Sequence, residues 1–326
     1  RVQNCGGGTK TFSGTSKSLT TTTNNAVSLL SNTGATITFS NGGLVISTTS
    51  GIGFNATGGA AAVNVTGAGN TINSVSATAL NVANTTIGVS GLTFQNISSG
   101  NNTAAADPTE GIILNTTGSS GGLSITGTGT TNGSGGVFQN ITNRGISAFS
   151  TVNLSLKNLT LNSANLADAA PCGASDNSGC NGAIFLNTVT NATLDNVDID
   201  GAQQQGINLR EVSGFQLLNS TVINTGGGGD TEEAGIYALN LFGTCAITST
   251  SVTFPTERAS VIYNTNKTLA LTVTGSTFGM NQAMPLGADG FEISSFGTSN
   301  TTLDIVNSTF IQPKTNGLQV ITAGTS

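Results

Sequence analysis

The sequence contains no histidine, and it has only nine lysines and arginines among 326 residues. A Ser-His-Asp triad is therefore impossible, and zinc binding is disfavoured because zinc sites normally use four Cys or His ligands. The scattered basic residues also disfavour nucleic-acid binding, which requires clustered Lys and Arg to neutralise phosphate. No apolar run reaches about 18 residues, so we expect no membrane-spanning helix.

Charged residues of either sign are scarce, at 7% of the chain with 15 acids and a net charge of -6. Enzymes that cleave polysaccharides gather carboxylates on one face, and this chain has few to gather. The paired-aspartate, Gly-His-Gly and Arg-x-Lys patterns of polygalacturonases are missing from the sequence. A G-x-x-x-x-G-K-[ST] phosphate loop is missing as well, and we expect no cofactor.

Glycine is abundant at 45 residues, and Ser, Thr and Asn are visibly enriched. Apolar residues recur at every second position in short runs, which predicts strands, and no long 3.6-residue pattern indicates a helix. Disordered chains combine few large aliphatic residues with a high net charge. The regular apolar positions and the low charge of this chain therefore predict a folded all-β protein.

One unit recurs along most of the chain and is plainest in GINLREVSGFQLLNSTVIN, residues 206–224. A small residue followed by an apolar one opens each copy, and successive clear openings are 24 to 37 residues apart. Periods of roughly 20–50 residues are typical of solenoids and other repeat folds. The openings are Gly111, Gly145, Gly182, Gly206, Gly235, Ser260, Gly290 and Gly317, with looser copies at Ala26, Gly51 and Ala79.

Each opening leads into two apolar positions separated by one residue, so both side chains fall on the same face of a strand. We expect these pairs to point inward and form the core. They are Ile112 and Leu114, Ile146 and Ala148, Ala183 and Phe185, Ile207 and Leu209, Ile236 and Ala238, Val261 and Tyr263, Phe291 and Ile293, and Leu318 and Val320.

A second pattern follows the first and reads apolar, any, Asn/Gly/Ser, any, any, apolar. Asn and Gly tolerate left-handed backbone conformations and suit a tight bend between two strands. A repeated Asn also predicts side-chain bonding from one copy to the next. The matches are Val89-Gly91-Phe94, Leu156-Asn158-Leu161, Leu194-Asn196-Ile199, Leu217-Asn219-Val222, Ile247-Ser249-Val252, Val273-Gly275-Phe278 and Ile305-Asn307-Phe310.

Strands that stack on copies about one period away pair in parallel rather than as hairpins, because each coil supplies the crossover. The pattern therefore predicts a right-handed parallel β-helix of about ten coils with a column of stacked apolar side chains inside. We assign residues 25–326 to this β-helix, and residues 1–24 to an N-terminal cap or an irregular first coil. Insertions at 98–110, 163–181, 225–234 and 281–289 fall at one place in the coil, so we expect long loops on one edge.

The chain starts at Arg1 rather than Met, as a mature or trimmed form would. A new coil opens at Gly317 shortly before Ser326, and a bare final coil exposes unpaired backbone groups. We therefore expect the solenoid to continue beyond Ser326, or to dock there against another subunit.

Two of the four cysteines, Cys172 and Cys180, close the polar loop PCGASDNSGC. This spacing favours a local disulfide and an oxidising compartment, with a pair of free thiols as the alternative. Cys5 and Cys245 are too far apart in sequence for their pairing to be predicted.

The densest charged cluster is a candidate saccharide-cleaving site, because carboxylates and a base occur within two consecutive copies of the repeat. Its alternative is a solvated outer face with a local ion pair. The candidates are Asp195, Asp198, Asp200, Arg210 and Glu211.

A flexible acidic loop can bind calcium through carboxylate and backbone oxygens. Asp230, Glu232 and Glu233 follow four glycines in GGGGDTEEA and are weak candidates for such a site. The alternative is a solvated loop tip, since no spaced D-x-D-x-D run is present.

From about Asn25 onward the sequence resembles bacterial surface and secreted proteins built on right-handed parallel β-helices. The resemblance depends on the glycine-hydrophobic openings, the Asn/Gly corner, the low charge and the Ser/Thr/Asn/Gly bias. Autotransporter passenger domains and β-strand-repeat adhesins belong to this group, and pectin lyases share the architecture. The resemblance implies a rigid extracellular stalk or adhesive rod, although a fold alone does not assign a function.

We therefore expect a non-catalytic structural or adhesive module of a bacterial surface or filament protein, located extracellularly. Its partners would be further repeats or copies of itself at the last coil, and a glycan or host-surface ligand on the loop edge. One alternative is a polysaccharide lyase or glycoside hydrolase. A second is an ice-binding protein, although we do not expect outward threonines to recur at one register.

Overall fold

The computed structural model describes residues 1–101, 107–168, 180–227, 233–280 and 289–324. The chain divides into two compact units, Arg1–Thr160 and Leu161–Ser326. All regular elements in the described ranges are β-strands, and their pairings are parallel. The prediction of an all-β parallel solenoid is confirmed, with about eleven turns in place of the predicted ten or so. The right-handed winding stays a prediction.

The first unit contains fifteen complete strands and most of a sixteenth. They are β1 (Val2–Gln3), β2 (Thr9–Phe12), β3 (Lys17–Thr21), β4 (Val27–Leu30), β5 (Thr36–Phe39), β6 (Leu44–Thr48), β7 (Phe54–Thr57), β8 (Ala62–Val65), β9 (Thr71–Ser74), β10 (Leu80–Ala83), β11 (Thr86–Phe94), β12 (Asn96–Ser99), β13 (Glu110–Asn115), β14 (Leu123–Ile125), β15 (Gly136–Gln139) and β16 (Arg144–Asn162).

Strands of the first unit stack into three parallel ladders. The opening ladder joins β1, β4, β7, β10, β13 and the start of β16. The middle ladder joins β2, β5, β8, β11, β14 and a later part of β16. The closing ladder joins β3, β6, β9, β12 and β15. Each of the first five coils thus contributes one strand to each ladder, and β16 of the next coil serves two ladders.

The second unit repeats this plan with longer strands. They are β17 (Gly182–Asp200), β18 (Gln205–Leu218), β19 (Thr221–Ile223), β20 (Ala234–Thr248), β21 (Ser251–Thr253), β22 (Arg258–Thr265), β23 (Thr268–Thr274), β24 (Thr277–Gly279), β25 (Phe291–Phe296), β26 (Asn300–Val306), β27 (Thr309–Ile311) and β28 (Leu318–Ala323).

Several strands of the second unit bend through a corner and serve two ladders. Its opening ladder joins the starts of β17, β18 and β20 to β22, β25 and β28. Its middle ladder joins later parts of β17, β18 and β20 to β23 and β26. Its closing ladder joins the end of β17 to β19, β21, β24 and β27.

The predicted inward column is confirmed along most of the opening ladders. Ile207 is in register with Ile236, and Leu209 with Ala238, and all four side chains are almost fully buried. Phe291 and Ile293 are likewise buried, and removal of such side chains from water is the main stabilising contribution in the column. Leu318 and Val320 are in register with them on the last described strand but are 39% and 59% exposed, so that predicted inward pair is not buried.

Two predicted inward pairs are wrong by one residue. Ile184 and Leu186, rather than Ala183 and Phe185, stand in register with Ile207 and Leu209. In the other pair, Ser260 and Ile262, rather than Val261 and Tyr263, stand in register with Phe291 and Ile293. The outer face of this ladder is also covered, since Phe185 and Val261 are fully buried. Burial on both faces removes the polar alternation that identifies the inward side of a strand.

The predicted corner is confirmed in the second unit. Asn196, Asn219, Ser249 and Asn307 all have a positive φ between 50° and 56°, and Gly275 has a φ of 57°. The apolar residues that flank this corner stack in register from coil to coil. The Val89-Gly91-Phe94 match is wrong, because Val89 is 85% exposed and the pairing of β11 with β8 shifts register between Ile87 and Leu92.

Hydroxyls next to this corner join its copies from coil to coil, and the predicted bonding between asparagines stays a prediction. From Ser220 onward, the hydroxyl of the residue after each corner accepts a hydrogen bond from the backbone N–H of its counterpart one coil earlier. Thr250 N donates to Ser276 Oγ at 3.2 Å, and Ser276 N donates to Ser308 Oγ at 3.2 Å. Each hydroxyl in turn donates to a carbonyl two residues back, as Ser276 does to Thr274 O at 3.0 Å. We call this column, formed by Ser220, Thr250, Ser276 and Ser308, the hydroxyl ladder.

Residues 1–24 contain β1, β2 and β3, which pair in parallel with β4, β5 and β6. Phe12 is in register with Phe39, and Leu19 with Ile46. Lys17 takes the inward register of Leu44, and its Nζ donates to the carbonyl oxygen of Ser40 at 3.0 Å. An ammonium group that binds backbone carbonyls therefore stands where the next coil places Leu44.

The predicted insertions connect a closing ladder to the next opening ladder, as expected. They lie between β12 and β13, β16 and β17, β19 and β20, and β24 and β25. Residues 102–106, 169–179, 228–232 and 281–288 of these insertions lie outside the described residues, so the long loops on one edge stay a prediction.

Candidate functional site

The predicted charged cluster is split between different ladders of the second unit. Asp198 and Asp200 lie on the closing ladder, in register with Thr221 and Ile223. Asp195 lies on the middle ladder, in register with Leu218. Arg210 and Glu211 instead lie at the end of the opening ladder. Arg210 is in register with Leu239, and Glu211 follows it directly.

Asp195 and Asp200 bind asparagines of the next coil. Asn219 Nδ2 donates to Asp195 Oδ1 at 2.8 Å, and Asn224 Nδ2 donates to Asp200 Oδ1 at 2.9 Å. These charge-assisted bonds link neighbouring coils across the outer surface. They fit the structural alternative for this cluster, in which the aspartates support a solvated outer face.

Arg210 and Glu211 line a groove of about 320 Å³ on the outer face of the second unit's opening ladder. The groove crosses four successive strands, β18, β20, β22 and β25, near their carboxyl ends. Only Arg210 and Glu211 were among the sequence candidates. The lining residues are Arg210, Glu211, Leu239, Asn240, Tyr263, Thr265 and Phe296, and we call this feature the outer groove.

A network of polar contacts fixes one wall of the outer groove. Lys267 Nζ lies 2.6 Å from Glu211 Oε2, and Asn240 Nδ2 donates to Glu211 Oε1 at 2.6 Å. Asn240 Oδ1 accepts the backbone N–H of Thr265 at 2.8 Å and its hydroxyl at 3.1 Å. Lys267 Nζ also lies 4.5 Å from the ring centroid of Phe242, a cation–π contact. The Glu211 carboxylate is therefore held by partners from two later coils.

Glu211 has an unusual backbone conformation for its residue type. Its φ is 51°, and the corner residue one coil later, Asn240, has a φ of 61°. Asparagine adopts this left-handed region readily, whereas other non-glycine residues pay a cost there. Strained residues of this kind tend to occur at binding sites. The Lys267 and Asn240 contacts offset part of this cost and fix the direction of the carboxylate.

Two aromatic rings form the apolar part of the outer groove. The rings of Tyr263 and Phe296 stack with centroids 6.4 Å apart and an interplanar angle of 24°. Tyr237, on the neighbouring strand, meets Tyr263 edge-on with centroids 6.0 Å apart, and Tyr237 is fully buried. Tyr263 and Phe296 keep part of their surface exposed. The buried Tyr237 ring packs against Tyr263, and the partly exposed Tyr263 and Phe296 rings form an aromatic surface beside charged and amide groups.

The chemistry available in the outer groove favours binding over cleavage of a glycosidic bond. Glycoside hydrolysis uses two carboxyl groups on either side of the bond, and Glu211 is the one carboxylate among the lining residues described above. Its two oxygens are already engaged by Lys267 and Asn240. Aromatic faces, amides and a guanidinium are the groups that orient a ligand in such a site.

The groove could have been found only by extending the register of Arg210 across later coils. Leu239 and Tyr263 follow Arg210 at the same position of successive strands. Thr265 is in register with Phe296. The sequence signal for the groove is therefore an outward aromatic residue at the end of two opening strands. It was missed because the predicted inward pair Val261 and Tyr263 was wrong by one residue, which placed Tyr263 in the core.

The calcium candidates fall only partly within the described ranges. Asp230 and Glu232 lie outside the described residues. Glu233 is fully buried, and its backbone N–H donates to Glu257 Oε2 at 2.9 Å. Arg258 lies 3.3 Å from Glu257 and 3.2 Å from Glu292. Among the described residues, no group of three or more His, Cys, Asp or Glu side chains is arranged to hold a metal ion.

The cysteines are in two states. Cys180 is disulfide-bonded, and its predicted partner Cys172 lies outside the described residues, so their pairing stays a prediction. Cys5 and Cys245 are free. Burial raises the pKa of the Cys245 thiol, an effect that hydrogen bonds with the backbone of Phe215 and Gly214 partly oppose.

Outward hydroxyls do recur along one row, so the expectation that they do not is wrong for the closing ladder of the second unit. Thr221, Ser251, Thr277 and Thr309 are in register on successive strands. The neighbouring outward row contains Ile223, Thr253, Gly279 and Ile311 at matching positions. A single row does not make the two-dimensional hydroxyl array that an ice surface would require.

No protein-family model, no curated protein and no solved structure matches this chain. Within the described ranges, no helix is present that could span a membrane. The functional argument therefore depends on the fold and on the geometry of the outer groove.

Proposed function

We propose that this chain is a non-catalytic adhesive module of an extracellular, bacterial surface-type protein, and that the outer groove binds a glycan. The second unit, which contains the groove, serves as a rigid scaffold, because its coils are joined along three ladders. The observation that carries the proposal is the half-exposed pair of Tyr263 and Phe296 beside Arg210, Glu211 and Asn240. Sugar rings stack on aromatic faces while their hydroxyls bond to carboxylate, amide and guanidinium groups.

Extracellular localisation is supported by the disulfide at Cys180. Disulfides persist in oxidising compartments and are rare in the cytosol. The low content of charged residues and the Ser/Thr/Asn/Gly bias are shared with the surface proteins that the sequence resembles.

The test is binding of the purified protein to a panel of immobilised neutral and acidic glycans. Aromatic contacts contribute on the order of 0.5–1.5 kcal/mol, so Tyr263→Ala and Phe296→Ala should each weaken binding by up to about tenfold. Phe254→Ala is the matched control, since Phe254 is a half-exposed phenylalanine of the same unit that is not among the lining residues of the groove. The proposal fails if no glycan binds, or if all three variants lose the same affinity.

Polysaccharide cleavage is the competing function, and Glu211 is the residue that would carry it. Incubation with the bound glycan should release no new reducing ends. Cleavage by the unaltered protein that disappears in Glu211→Gln would instead establish an enzyme.

A further inference from the structure

Glu211 and Asn240 stand at the same corner position of consecutive coils and form one hydrogen-bonded pair. The residues that follow them, Val212 and Leu241, are in register. Asn240 Nδ2 donates to Glu211 Oε1 at 2.6 Å. Both residues line the outer groove, and the Glu211 side chain is 34% exposed. A ligand in the groove can therefore reach an amide and a carboxylate together.

The orientation of the Asn240 amide is fixed by its two neighbours. Oδ1 accepts the backbone N–H of Thr265 at 2.8 Å, and a backbone N–H can only donate. Nδ2 faces the Glu211 carboxylate, which can only accept. An exchange of the amide oxygen and nitrogen would set donor against donor and acceptor against acceptor. The NH₂ group therefore lies on the Glu211 side of the pair.

The pair keeps one donor and one acceptor for a ligand. An amide nitrogen has two N–H donors, and among the residues that the structure describes Asn240 Nδ2 uses one, on Glu211. Each carboxylate oxygen has about two acceptor directions. Glu211 Oε1 uses one on Asn240, while Lys267 occupies Oε2 at 2.6 Å. The remaining donor and acceptor lie on neighbouring atoms, Asn240 Nδ2 and Glu211 Oε1.

An adjacent donor and acceptor match two hydroxyls on neighbouring carbons of a sugar ring, a vicinal diol. A hydroxyl can donate and accept, so one hydroxyl can donate to Glu211 Oε1 while its neighbour accepts from Asn240 Nδ2. The aromatic rings lie close by, because Thr265, the partner of Asn240, is two residues beyond Tyr263 on β22 and in register with Phe296.

We propose that the outer groove recognises a vicinal diol of its glycan, bound by Glu211 and Asn240 while the same sugar ring rests on Tyr263 and Phe296. The inference rests on the proposed glycan-binding function and adds the chemical group that is recognised. Lys267 is a positioning residue in this arrangement, because its contact with Oε2 directs Oε1 toward Asn240.

The next coil repeats the corner without a carboxylate, which supplies a matched control. Asn266 has a φ of 59°, and its Oδ1 accepts the backbone N–H of Thr298 at 3.2 Å and its hydroxyl at 2.9 Å. Asn240 makes the same two bonds with Thr265, but Asn266 is not among the lining residues of the groove. Gly297, at the corner one coil later, has a φ of 62°, so glycine is compatible with this position.

The first experiment uses the unaltered protein and the methyl β-pyranosides of glucose, galactose and mannose as parent probes. Each parent is compared with its 3-deoxy and 6-deoxy forms in titrations followed by ligand-observed NMR. Loss of the 3-hydroxyl removes both pairs of neighbouring hydroxyls from the ring, whereas loss of the 6-hydroxyl removes neither. For any parent that binds, the 3-deoxy form should bind about tenfold more weakly, because a bond to a charged group is lost. The 6-deoxy form should stay within about twofold.

The second experiment tests the pair with Asn240→Gly and Asn266→Gly. Each variant loses the corner bonds to a threonine of the next coil, but only Asn240→Gly removes the donor beside Glu211. Asn240→Gly should bind the parent and the 3-deoxy probe equally, whereas Asn266→Gly should keep the difference of about tenfold. A merely structural role of Asn240 would weaken binding of both probes by the same factor.

The possible outcomes separate this inference from the proposed function. If a parent and its 3-deoxy form bind equally, or the 6-deoxy form loses as much as the 3-deoxy form, the inference is overturned and glycan binding stays intact. Binding of no parent counts against both. A difference that survives Asn240→Gly, or that Asn266→Gly removes as well, overturns the role of the pair. The probe comparison stays decisive even if Asn240→Gly does not fold, because it requires no variant.

Discussion

Replacement of Ser276 by alanine tests whether the hydroxyl ladder stabilises the second unit. Ser276 is 2% exposed, and its Oγ accepts the backbone N–H of Thr250 at 3.2 Å while donating to Thr274 O at 3.0 Å. Alanine removes both bonds and leaves the Thr250 N–H in a buried position without this acceptor. An unsatisfied buried donor costs about 1–3 kcal/mol, so we expect a loss of about 2 kcal/mol in the free energy of unfolding.

Equilibrium denaturation in urea, followed by circular dichroism in the far ultraviolet, measures this loss. For a domain of this size a loss of about 2 kcal/mol corresponds to a decrease in Tm of roughly 4–8 °C. Ser276→Thr keeps the hydroxyl, and Thr250 shows that threonine fits the same register, so this variant should stay near the unaltered protein.

The matched control is Ser251→Ala, the same chemical change at a partly exposed outward position of the closing ladder. Substitutions of that kind usually change stability by no more than about 0.5 kcal/mol. If Ser276→Ala and Ser251→Ala give the same free energy of unfolding, the hydroxyl ladder does not contribute to stability as we argue.

Two further predictions concern packing and thiol chemistry. A Cβ at Gly206 would lie 2.4 Å from Val222 Cγ1 and 2.7 Å from Gly235 O, so Gly206→Ala should cost about 1–3 kcal/mol in denaturation experiments. Gly7→Ala, where a Cβ would meet no atom within 4 Å, is its control, and equal stability of the two variants would contradict the packing argument. Burial raises the pKa of Cys245, which keeps it a thiol rather than the reactive thiolate at neutral pH. A maleimide or disulfide reagent should therefore label the partly exposed Cys5 in the folded protein and Cys245 only in denaturant, and equal labelling rates in the folded protein would refute this.

The repeat could be read from the sequence where one face of a strand is polar. Ile207 and Leu209 alternate with polar neighbours in GINLRE, and they were placed inward correctly. In GAIFLN and SVIY the apolar residues are consecutive, and both faces of those strands are buried. Either register satisfies the pattern there, which is why Ala183 and Val261 were misassigned.

At the corner, likewise, the bend residues could be predicted from the sequence, whereas their bonding partners could not. Asn219, Ser249 and Gly275 were identified as bend residues, because the left-handed conformation restricts residue type locally. The hydroxyl ladder at Ser220, Thr250 and Ser276 was missed because serine and threonine are common in this chain. Their bonding partners lie one coil away, so their role depends on the stacking of the coils.

The sequence by itself determined the fold class and the corner, since strand alternation and left-handed bends are local properties of the chain. It also supplied the composition that disfavours nucleic-acid and zinc binding. Only the tertiary structure decided the outer groove, whose residues from Arg210 to Phe296 come from four strands in separate coils. Parallel stacking puts residues about one repeat apart into contact, and a one-residue change of register would turn Tyr263 from the groove into the core.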